Sequence, residues 1–312
     1  MLLAHLKITS GEIIVIRFAF LATTVLFTQY AFCAEPRVVK VGEKPESVCR
    51  GFDGKLYVTI IDGEQPGDGG INVVDGDAVS EFCRGMNSPK GIAFVGSLLV
   101  VADETTVWAV DAKGSMHKIA EKDDFPSPIE FLNDVAAAPD GEGVYVSEMS
   151  HPKWMFDPTG QRKLWPVDSD HANCPQTGCV YRVGLDGKVS LAVPAGGKLT
   201  GPNGVAVRGK GDDAKIVTGD FFTGNILQYD GSEQNVIASG MRGADGIEFS
   251  DGVMFVSSWP LGKVWSVDLE SGKNQLLSDD FTTAADLFYD SVTGQVIVPD
   301  MLEGTLTFLP LD

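Results

Sequence analysis

Six short segments of the chain share one pattern, in which a polar residue follows a turn and precedes a short apolar run. The polar residues at the third position of these segments are Glu46, Lys90, Asn133, Asn203, Asp245 and Asp286. All of them except the lysine carry carboxylate or amide oxygens, the hard donors that calcium and magnesium prefer. If the fold brings these positions together, the chemistry they offer is the binding of a divalent cation.

The spacing of these residues indicates a structural repeat. The successive separations are 44, 43, 70, 42 and 41 residues, so one interval is longer by about 27 residues. Repeats of about 40–50 residues built from strands and turns are typical of β-propeller blades. A second apolar run follows each polar residue, as at 98–103 and 215–220, and a third often follows, as at 106–111. These runs are rich in β-branched and aromatic residues and lack helical periodicity, which favours strands.

We therefore predict an all-β fold, a six-bladed β-propeller with four-stranded blades, which occupies residues 35–312 as one domain. All-β barrels and related folds of this length are common as single domains. The apolar run at 37–41 precedes the first blade and is predicted to complete the sheet of the last blade, which closes the ring and protects a free edge. The first strand of each blade lines the tunnel of a propeller, so the six polar residues are predicted to converge on one axis.

The predicted polar ring has two interpretations. Glu46, Asp245 and Asp286 contribute three negative charges and Lys90 contributes one positive charge. Crowded carboxylates away from water are costly unless something neutralises them. A divalent cation would do so; alternatively, Lys90 bridges the acids and ordered waters fill the tunnel as a hydrogen-bonded plug. The residues by themselves leave both interpretations open.

The longest interval contains an insertion at 149–179, with Trp154, Trp165 and two of the four histidines. Long insertions in a compact scaffold are often lids or binding loops. We predict a lid or a loop at the mouth of the tunnel, and the alternative is a surface excursion without a function.

The N-terminal segment is typical of a secretory signal. Two basic residues precede the apolar run 18–27, and small residues follow at 31–34. The run is too short to span a bilayer as a helix, which needs about 20 residues. We expect a signal peptide over residues 1–34 and a secreted or periplasmic protein without a stable membrane span; a lipidated Cys33 is the alternative.

Four cysteines follow the predicted signal, and an even number in an exported chain permits two disulfides. Cys174 and Cys179 flank a short turn, PQTG, and are predicted to form a disulfide. That pairing leaves Cys49 and Cys83, and the sequence does not decide whether they are paired.

The formal net charge of −19 disfavours nucleic acid as a partner, because phosphate binding needs a basic face. The sequence contains no GxSxG elbow, no HExxH motif and no GxxxxGK[ST] phosphate loop. We therefore expect a small molecule as the partner, and the sequence does not indicate an oligomeric state.

The chain resembles the senescence-marker-protein/gluconolactonase/luciferin-regenerating-enzyme family of six-bladed propellers over residues 36–312. The resemblance rests on PES at 45–47, ND at 133–134, PNG at 202–204 and DG at 245–246, in this order and at blade spacing. In that family a glutamate, two asparagines and an aspartate hold one divalent metal in the tunnel. The metal ligands implied for this chain are Glu46, Asn133, Asn203 and Asp245, with Ca²⁺ favoured over Mg²⁺, Mn²⁺ and Zn²⁺.

The resemblance also implies an exported, metal-dependent hydrolase of the lactonase or esterase type that acts on a small lactone or ester. Asp245 would be the catalytic residue, either as the general base that activates water or as a nucleophile that forms a transient acyl-aspartate. The residues expected to contact the substrate are Lys90, Asp286 and His151. One alternative is a non-catalytic, metal-containing propeller that binds a small ligand or a protein, and another is a strictosidine-synthase-like enzyme that uses a glutamate and no metal.

Overall fold

The computed structural model describes residues 35–311, except Glu64, Lys210 and the side chain of Asp212. The predicted signal peptide at 1–34 lies outside the described residues. Within them, 24 strands form six antiparallel sheets of four strands each, arranged in a ring. The predicted six-bladed β-propeller is therefore confirmed. No helix in the described part of the chain has the length and hydrophobicity needed to cross a bilayer.

Each of the first five blades begins with its inner strand and ends with its outer strand. Blade 1 contains β2 (Pro45–Arg50), β3 (Leu56–Ile60), β4 (Gly69–Asp75) and β5 (Ala78–Met86). Blade 2 contains β6 (Pro89–Val95), β7 (Leu98–Asp103), β8 (Thr106–Val110) and β9 (Met116–Glu121). Blade 3 contains β10 (Leu132–Ala137), β11 (Gly143–Glu148), β12 (Cys179–Gly184) and β13 (Val189–Val193).

Blade 4 contains β14 (Pro202–Arg208), β15 (Lys215–Asp220), β16 (Ile226–Tyr229) and β17 (Gln234–Ala238). Blade 5 contains β18 (Ala244–Ser250), β19 (Val253–Ser258), β20 (Lys263–Asp268) and β21 (Asn274–Ser278). Blade 6 contains β22 (Phe288–Asp290), β23 (Gln295–Asp300), β24 (Thr305–Pro310) and β1 (Arg37–Lys40). Short 3₁₀ turns lie at Phe52–Gly54, Lys122–Asp124, Pro152–Trp154 and Gly211–Asp213.

The ring closes as the sequence predicts. Strand β1 pairs antiparallel with β24, from Arg37 opposite Phe308 to Lys40 opposite Thr305, so the N-terminal strand completes the last blade. The inner strands β2, β6, β10, β14, β18 and β22 contact one another in turn, and β22 also contacts β2. Apolar residues fill the space between neighbouring blades, as where Val100 of β7 and Val146 of β11 share one cluster. Middle strands are therefore apolar on both faces, which explains their continuous apolar runs.

Five inner strands contain a β-bulge at the predicted polar residue. In β2, Pro45 pairs with Ile60 and Val48 with Val58, so Glu46 and Ser47 together oppose one residue, Thr59. The equivalent bulges lie at 90–91, 133–134, 203–204 and 245–246. A bulge inserts an extra residue, bends the strand and changes the direction of a side chain. The recurring polar residue is thus the first residue of a bulge.

Hydroxyl groups on the second strands satisfy some of the backbone N–H groups that the bulges leave unpaired. The N–H of Ser47 donates to Thr59 Oγ1 at 2.9 Å, and the N–H of Gly246 donates to Ser257 Oγ at 2.8 Å. In blade 3 the N–H of Asp134, the second bulge residue, donates to Ser147 Oγ at 2.9 Å. Buried backbone donors need such partners, so these hydroxyls stabilise the bulge geometry.

Glycine is the second bulge residue in three blades, at Gly91, Gly204 and Gly246. A Cβ at Gly204 would overlap the backbone carbonyl oxygen of Asp245, and one at Gly246 would overlap the backbone nitrogen of Leu287. Neighbouring inner strands therefore approach one another at backbone contact. The glycines of the PNG and DG motifs are required by this close approach around the tunnel.

Replacing Gly204 with alanine is expected to lower the free energy of unfolding by about 3 kcal/mol, because the added Cβ would overlap a backbone atom that cannot rotate away. The matched control is Gly294→Ala, at φ +68° with no heavy atom within 4 Å of the added Cβ. The control substitution should lower the free energy of unfolding by about 1 kcal/mol, because alanine is strained in the left-handed backbone conformation of residue 294. Thermal unfolding followed by circular dichroism measures both, and equal losses would contradict the close approach.

Candidate active site

A cavity of about 180 Å³ lies at the end of the tunnel where the inner strands begin. Its polar lining residues are the first bulge residues of blades 1 to 5, namely Glu46, Lys90, Asn133, Asn203 and Asp245. The structure therefore brings together the four predicted metal ligands and one of the predicted substrate contacts. They are far apart in the sequence and meet only because the ring closes.

The four predicted ligands are almost completely buried, each with an exposed fraction of 3–4%. Three oxygens, Glu46 Oε2, Asn203 Oδ1 and Asp245 Oδ1, are buried and have no hydrogen-bond partner among the described residues. An unpaired buried polar group costs about 1–3 kcal/mol, and few occur per protein. Three such oxygens around one cavity fit the hard-donor set of a divalent cation.

The side chain of Asn133 is oriented by a sulfur atom. Its Nδ2 donates to Met149 Sδ at 2.9 Å. This contact occupies the nitrogen, so the atom that remains to bind a ligand is the amide oxygen. The resulting donor set contains two carboxylates and two amides. In the part of the chain that the structure describes, no group of three or more His, Cys, Asp or Glu side chains is arranged to hold a metal ion.

Electrostatics in the cavity disfavour bare carboxylates. Burial raises the pKa of Glu46 to about 8, although Lys90 opposes the shift. Burial also raises the pKa of Asp245 well above its usual range, and the nearby Glu46 and Asp134 raise it further. Protons or a cation must therefore neutralise these acids.

Lys90 does not bridge the acids as the plug interpretation requires. Its ammonium group donates to Ser88 Oγ at 2.9 Å and lies 4.9 Å from the ring centre of Phe131. Burial lowers the pKa of Lys90, with Glu46 opposing the shift. Within the described residues Lys90 forms no ion pair shorter than 4.0 Å. Lys90 therefore does not neutralise the carboxylates through a direct ion pair.

The remaining wall of the cavity is apolar, and five of its eight residues come from equivalent positions of five blades. The residue that directly follows the second strand lines the cavity in each of them: Ile61, Met149, Phe221, Trp259 and Met301. Sequence reasoning missed this set. Its signal is an apolar residue placed immediately after the second apolar run of a repeat, where a surface turn would normally be polar.

The insertion contributes to the mouth of the cavity. Pro152 and Phe156 line the cavity directly. The ring of Phe156 packs edge-on against Phe221 at 5.8 Å and against Trp259 at 6.1 Å between ring centres. The insertion therefore supplies part of the apolar lining of this cavity, and its role as a lid or a mouth loop stays a prediction.

Two of the predicted substrate contacts do not line this cavity. Asp286 lines a second cavity deeper in the tunnel, and its carboxylate accepts a hydrogen bond from Ser47 Oγ. In blade 6 Ala284 pairs with Asp300 and Phe288 with Ile297, so one extra residue also lies in this inner strand. Ala285 directly follows the paired residue, as Glu46 follows Pro45, and Asp286 lies one position later. His151 lies behind the wall, where its ring is 5.7 Å from that of Phe131 and its Nδ1 accepts from the N–H of Lys153.

Comparison with known proteins agrees with this geometry. The family model described as "SMP-30/Gluconolactonase/LRE-like region" matches residues 68–278, more than half of the chain. The chain belongs to this family. The predicted family is thereby confirmed, and the match includes Asn133, Asn203 and Asp245 of the candidate site. Glu46 precedes the matched range, and only the closure of the ring places it beside the other three.

Comparison with solved structures gives information about the fold only. A chain in the "Crystal structure of Nidogen/Laminin Complex" matches with a TM-score of 0.56 and 13% identity, over 75% of this chain and 79% of that one. At this identity the likeness shows a shared propeller fold. No curated protein sequence matches the chain.

A further set of residues positions the site of this SMP-30/gluconolactonase-like propeller. Acids end the second strand in four blades, at Asp103, Glu148, Asp220 and Asp300. Each accepts backbone N–H groups from the loop that leads into the inner strand of its own blade, as where Asp220 accepts from Thr200 and Gly201. These buried acids hold the start of the inner strand, and with it the bulge residue, in place. In the sequence, the recurring acid at the end of the second apolar run of a repeat could have predicted this set.

The predicted disulfide between Cys174 and Cys179 is not formed. All four cysteines of the described region are free thiols. Cys179 begins β12 and packs in the core between blades 2 and 3. Cys174 instead lies in the insertion, within the cluster at the mouth, 3.8 Å from the carbonyl oxygen of Trp154. The short turn therefore connects two residues whose side chains enter different clusters.

The second cavity, of about 310 Å³, lies deeper along the inner strands and is lined by three acids, Asp134, Glu248 and Asp286. Asp134 ties two blades together, because its carboxylate accepts from the N–H of Val135 and from that of Val205, both at 2.6 Å. Burial raises the pKa of Asp134 to about 6 and that of Glu248 to about 8. Burial in this part of the tunnel therefore disfavours the ionised form of both acids.

We expect Glu248→Gln to remove part of the loss of stability at alkaline pH. The pKa of about 8 in the folded protein lies above the ordinary glutamate pKa of 4.5, so the native state holds a proton that the unfolded chain releases. Stability must then fall as pH rises from about 4.5 to 8. Because Glu248 is only half-buried, solvent screening is expected to reduce the effect to roughly 1 kcal/mol. At pH 8.5 the variant should therefore melt about 2–4 °C above the wild type. At pH 5 the two melting temperatures should converge, and the exposed Glu233→Gln serves as the control; a constant difference would contradict the assignment.

Proposed function

We propose that the protein is a divalent-cation-dependent hydrolase that acts on a small lactone or ester. The observation that carries this proposal is the group of three buried oxygens, on Glu46, Asn203 and Asp245, which face one cavity without partners among the described residues. Membership of the family supports lactonase-type chemistry. The apolar walls support a small molecule as the ligand.

The cation would be held by Glu46, Asn133, Asn203 and Asp245. Their oxygens are hard donors, which favours Ca²⁺ over softer metals. When bound, the cation supplies Lewis-acid polarisation of the substrate carbonyl. The two carboxylates of the set also balance its charge.

We propose that Asp245 accepts and returns the proton that is transferred during hydrolysis. Its Oδ1 is buried and has no hydrogen-bond partner in the described structure. As a general base, Asp245 accepts a proton from water while the water oxygen bonds to the carbonyl carbon. It then returns the proton to the leaving oxygen as the ring C–O bond breaks. In the alternative, the carboxylate itself attacks and water hydrolyses the acyl-aspartate.

Lys90 is proposed to stabilise negative charge on the substrate oxygen. It lines the same cavity, and Ser88 occupies only one of its three donor hydrogens. A positive group in a water-poor cavity stabilises a developing oxyanion more strongly than it would in bulk water. The rings of Phe156 and Trp259 line the same cavity.

The proposal is tested by assaying the purified protein on a panel of lactones and aryl esters, first with EDTA and then with added Ca²⁺. Turnover that is lost on chelation and restored by Ca²⁺ would support it. Phenylmethylsulfonyl fluoride provides a control against contaminating serine esterases. Calorimetrically measured cation binding without turnover of any substrate would instead indicate a non-catalytic binding propeller.

We also propose that the protein is exported, on the basis of the signal-like residues 1–34. The full-length chain produced in a bacterium with a general secretion pathway should yield a mature protein that begins at residue 34 or 35. Mass spectrometry of the intact protein measures this directly. A retained N-terminus on soluble protein would contradict the proposal.

A further inference from the structure

The apolar side chains that line the candidate active site, next to its five polar bulge residues, limit the kind of substrate that can bind. We infer that the substrate is a compact, apolar lactone or aryl ester without free hydroxyl groups, rather than a sugar lactone. This inference rests on the proposed function, because it assigns a substrate class to the same cavity.

The polar groups of the cavity are confined to one side. Eight of its thirteen lining residues are apolar, and the five polar ones are the bulge residues at the tunnel axis. These five are committed to the reacting carbonyl and the cation under the proposed function. Every other part of a bound molecule would therefore contact apolar side chains such as Phe131, Phe221 and Trp259.

The few polar atoms near the walls already have partners. Trp259 Nε1 donates to Met301 Sδ at 3.3 Å, and Asn133 Nδ2 donates to Met149 Sδ at 2.9 Å. A sugar lactone would bury several hydroxyl groups against this surface. Each hydroxyl without a partner is expected to lower kcat/KM by about 5- to 150-fold.

Size and shape limit the apolar substrate. The cavity volume of about 180 Å³ is smaller than the roughly 300–1,000 Å³ of sites for drug-sized ligands. The edge-on rings of Phe156, Phe221 and Trp259 form an aromatic corner, which suits a flat ring or a short alkyl chain. A six-membered lactone with a short alkyl substituent fits this description, as does the acetate ester of a phenol.

The test compares δ-valerolactone, δ-hexanolactone and glucono-δ-lactone, which share the six-membered ring, in the presence of Ca²⁺. Each methylene that stays within the cavity should raise kcat/KM about 3- to 4-fold. Glucono-δ-lactone should be at least 100-fold poorer than δ-hexanolactone. Phe156→Ala should lower kcat/KM for δ-hexanolactone at least 10-fold, whereas Trp154→Ala, in the same insertion but outside the cavity, should leave it unchanged.

A binding measurement separates failure of this inference from failure of the proposed function. Calorimetry compares an alkyl-substituted δ-lactam with the lactam of gluconic acid, neither of which the protein needs to hydrolyse. Tighter binding of the alkyl lactam, weakened by Phe156→Ala, would support the inference even if no ester or lactone is turned over. Faster hydrolysis of glucono-δ-lactone, or tighter binding of its lactam, would overturn the inference while the proposed function stands. If neither lactam binds, the inference is overturned as well.

Discussion

Replacing Asp245 with asparagine is expected to lower kcat for lactone or ester hydrolysis by about 10²- to 10⁴-fold. Asparagine keeps the shape of the side chain but can neither accept the proton of the attacking water nor act as a nucleophile. It also removes one of the two carboxylates around the cavity. Initial rates on the best substrate of the panel, at saturating Ca²⁺, provide the measurement.

The matched control for this variant is Asp286→Asn. Asp286 is also a buried aspartate, in the next blade, but it lines the deeper cavity and accepts from Ser47. We expect its activity to stay within a few-fold of the wild type. If both variants lose activity equally, the mouth cavity is not the catalytic site.

Folding can be separated from chemistry in the same experiment. The raised pKa of Asp245 means that its ionised form is costly in the native state. In EDTA at pH 8 the asparagine variant should therefore melt no lower than the wild type. A much lower melting temperature would attribute the lost activity to misfolding, and a loss of less than 10-fold would contradict the assigned role.

Adding Ca²⁺ to the cation-free protein is expected to raise its melting temperature by about 5–10 °C at a concentration 100 times the Kd. Binding to the native state alone contributes about 2.7 kcal/mol at that concentration, and a chain of this length gains roughly 2–4 °C per kcal/mol. The physical cause is the pairing of three buried oxygens that have no partner among the described residues. Differential scanning fluorimetry across a titration of Ca²⁺ measures the shift.

Glu46→Gln should reduce this dependence on Ca²⁺, because it removes a charged ligand but keeps an amide oxygen in its place. Glu233→Gln changes the charge equally at an exposed position on the rim and should leave the dependence intact. Equal melting temperatures of the wild type in EDTA and in excess Ca²⁺ would exclude the cation site. Repeating the titration with Mg²⁺, Mn²⁺ and Zn²⁺ would identify the preferred ion.

Much of the site was predictable because each blade is specified locally. A bulge residue such as Asn203 sits between a turn and an apolar strand, so its type and spacing identify it without knowledge of the fold. The sequence also shows the glycine that follows Asn203, but it does not explain why a glycine is needed there. Only the packed inner strands show that Gly204 faces the backbone of Asp245.

Other assignments failed where they depended on geometry between segments. Asp286 matches the repeat in sequence, but Ala285 directly follows the paired Ala284, so Asp286 lies one position later than Glu46 does after Pro45. The spacing of Cys174 and Cys179 permits a disulfide, yet the core and the insertion draw the two thiols into different clusters. Short spacing therefore did not ensure contact.

The amino-acid sequence by itself determined the repeat, the number of blades and the polar residues that begin the inner strands, because turn chemistry and strand periodicity act over a few neighbouring residues. Tertiary structure alone decided which of those polar residues share a cavity, what Lys90 contacts and which apolar side chains surround them. These depend on the closure of the ring and on the approach of adjacent blades, which join atoms separated by up to about 255 residues in the chain.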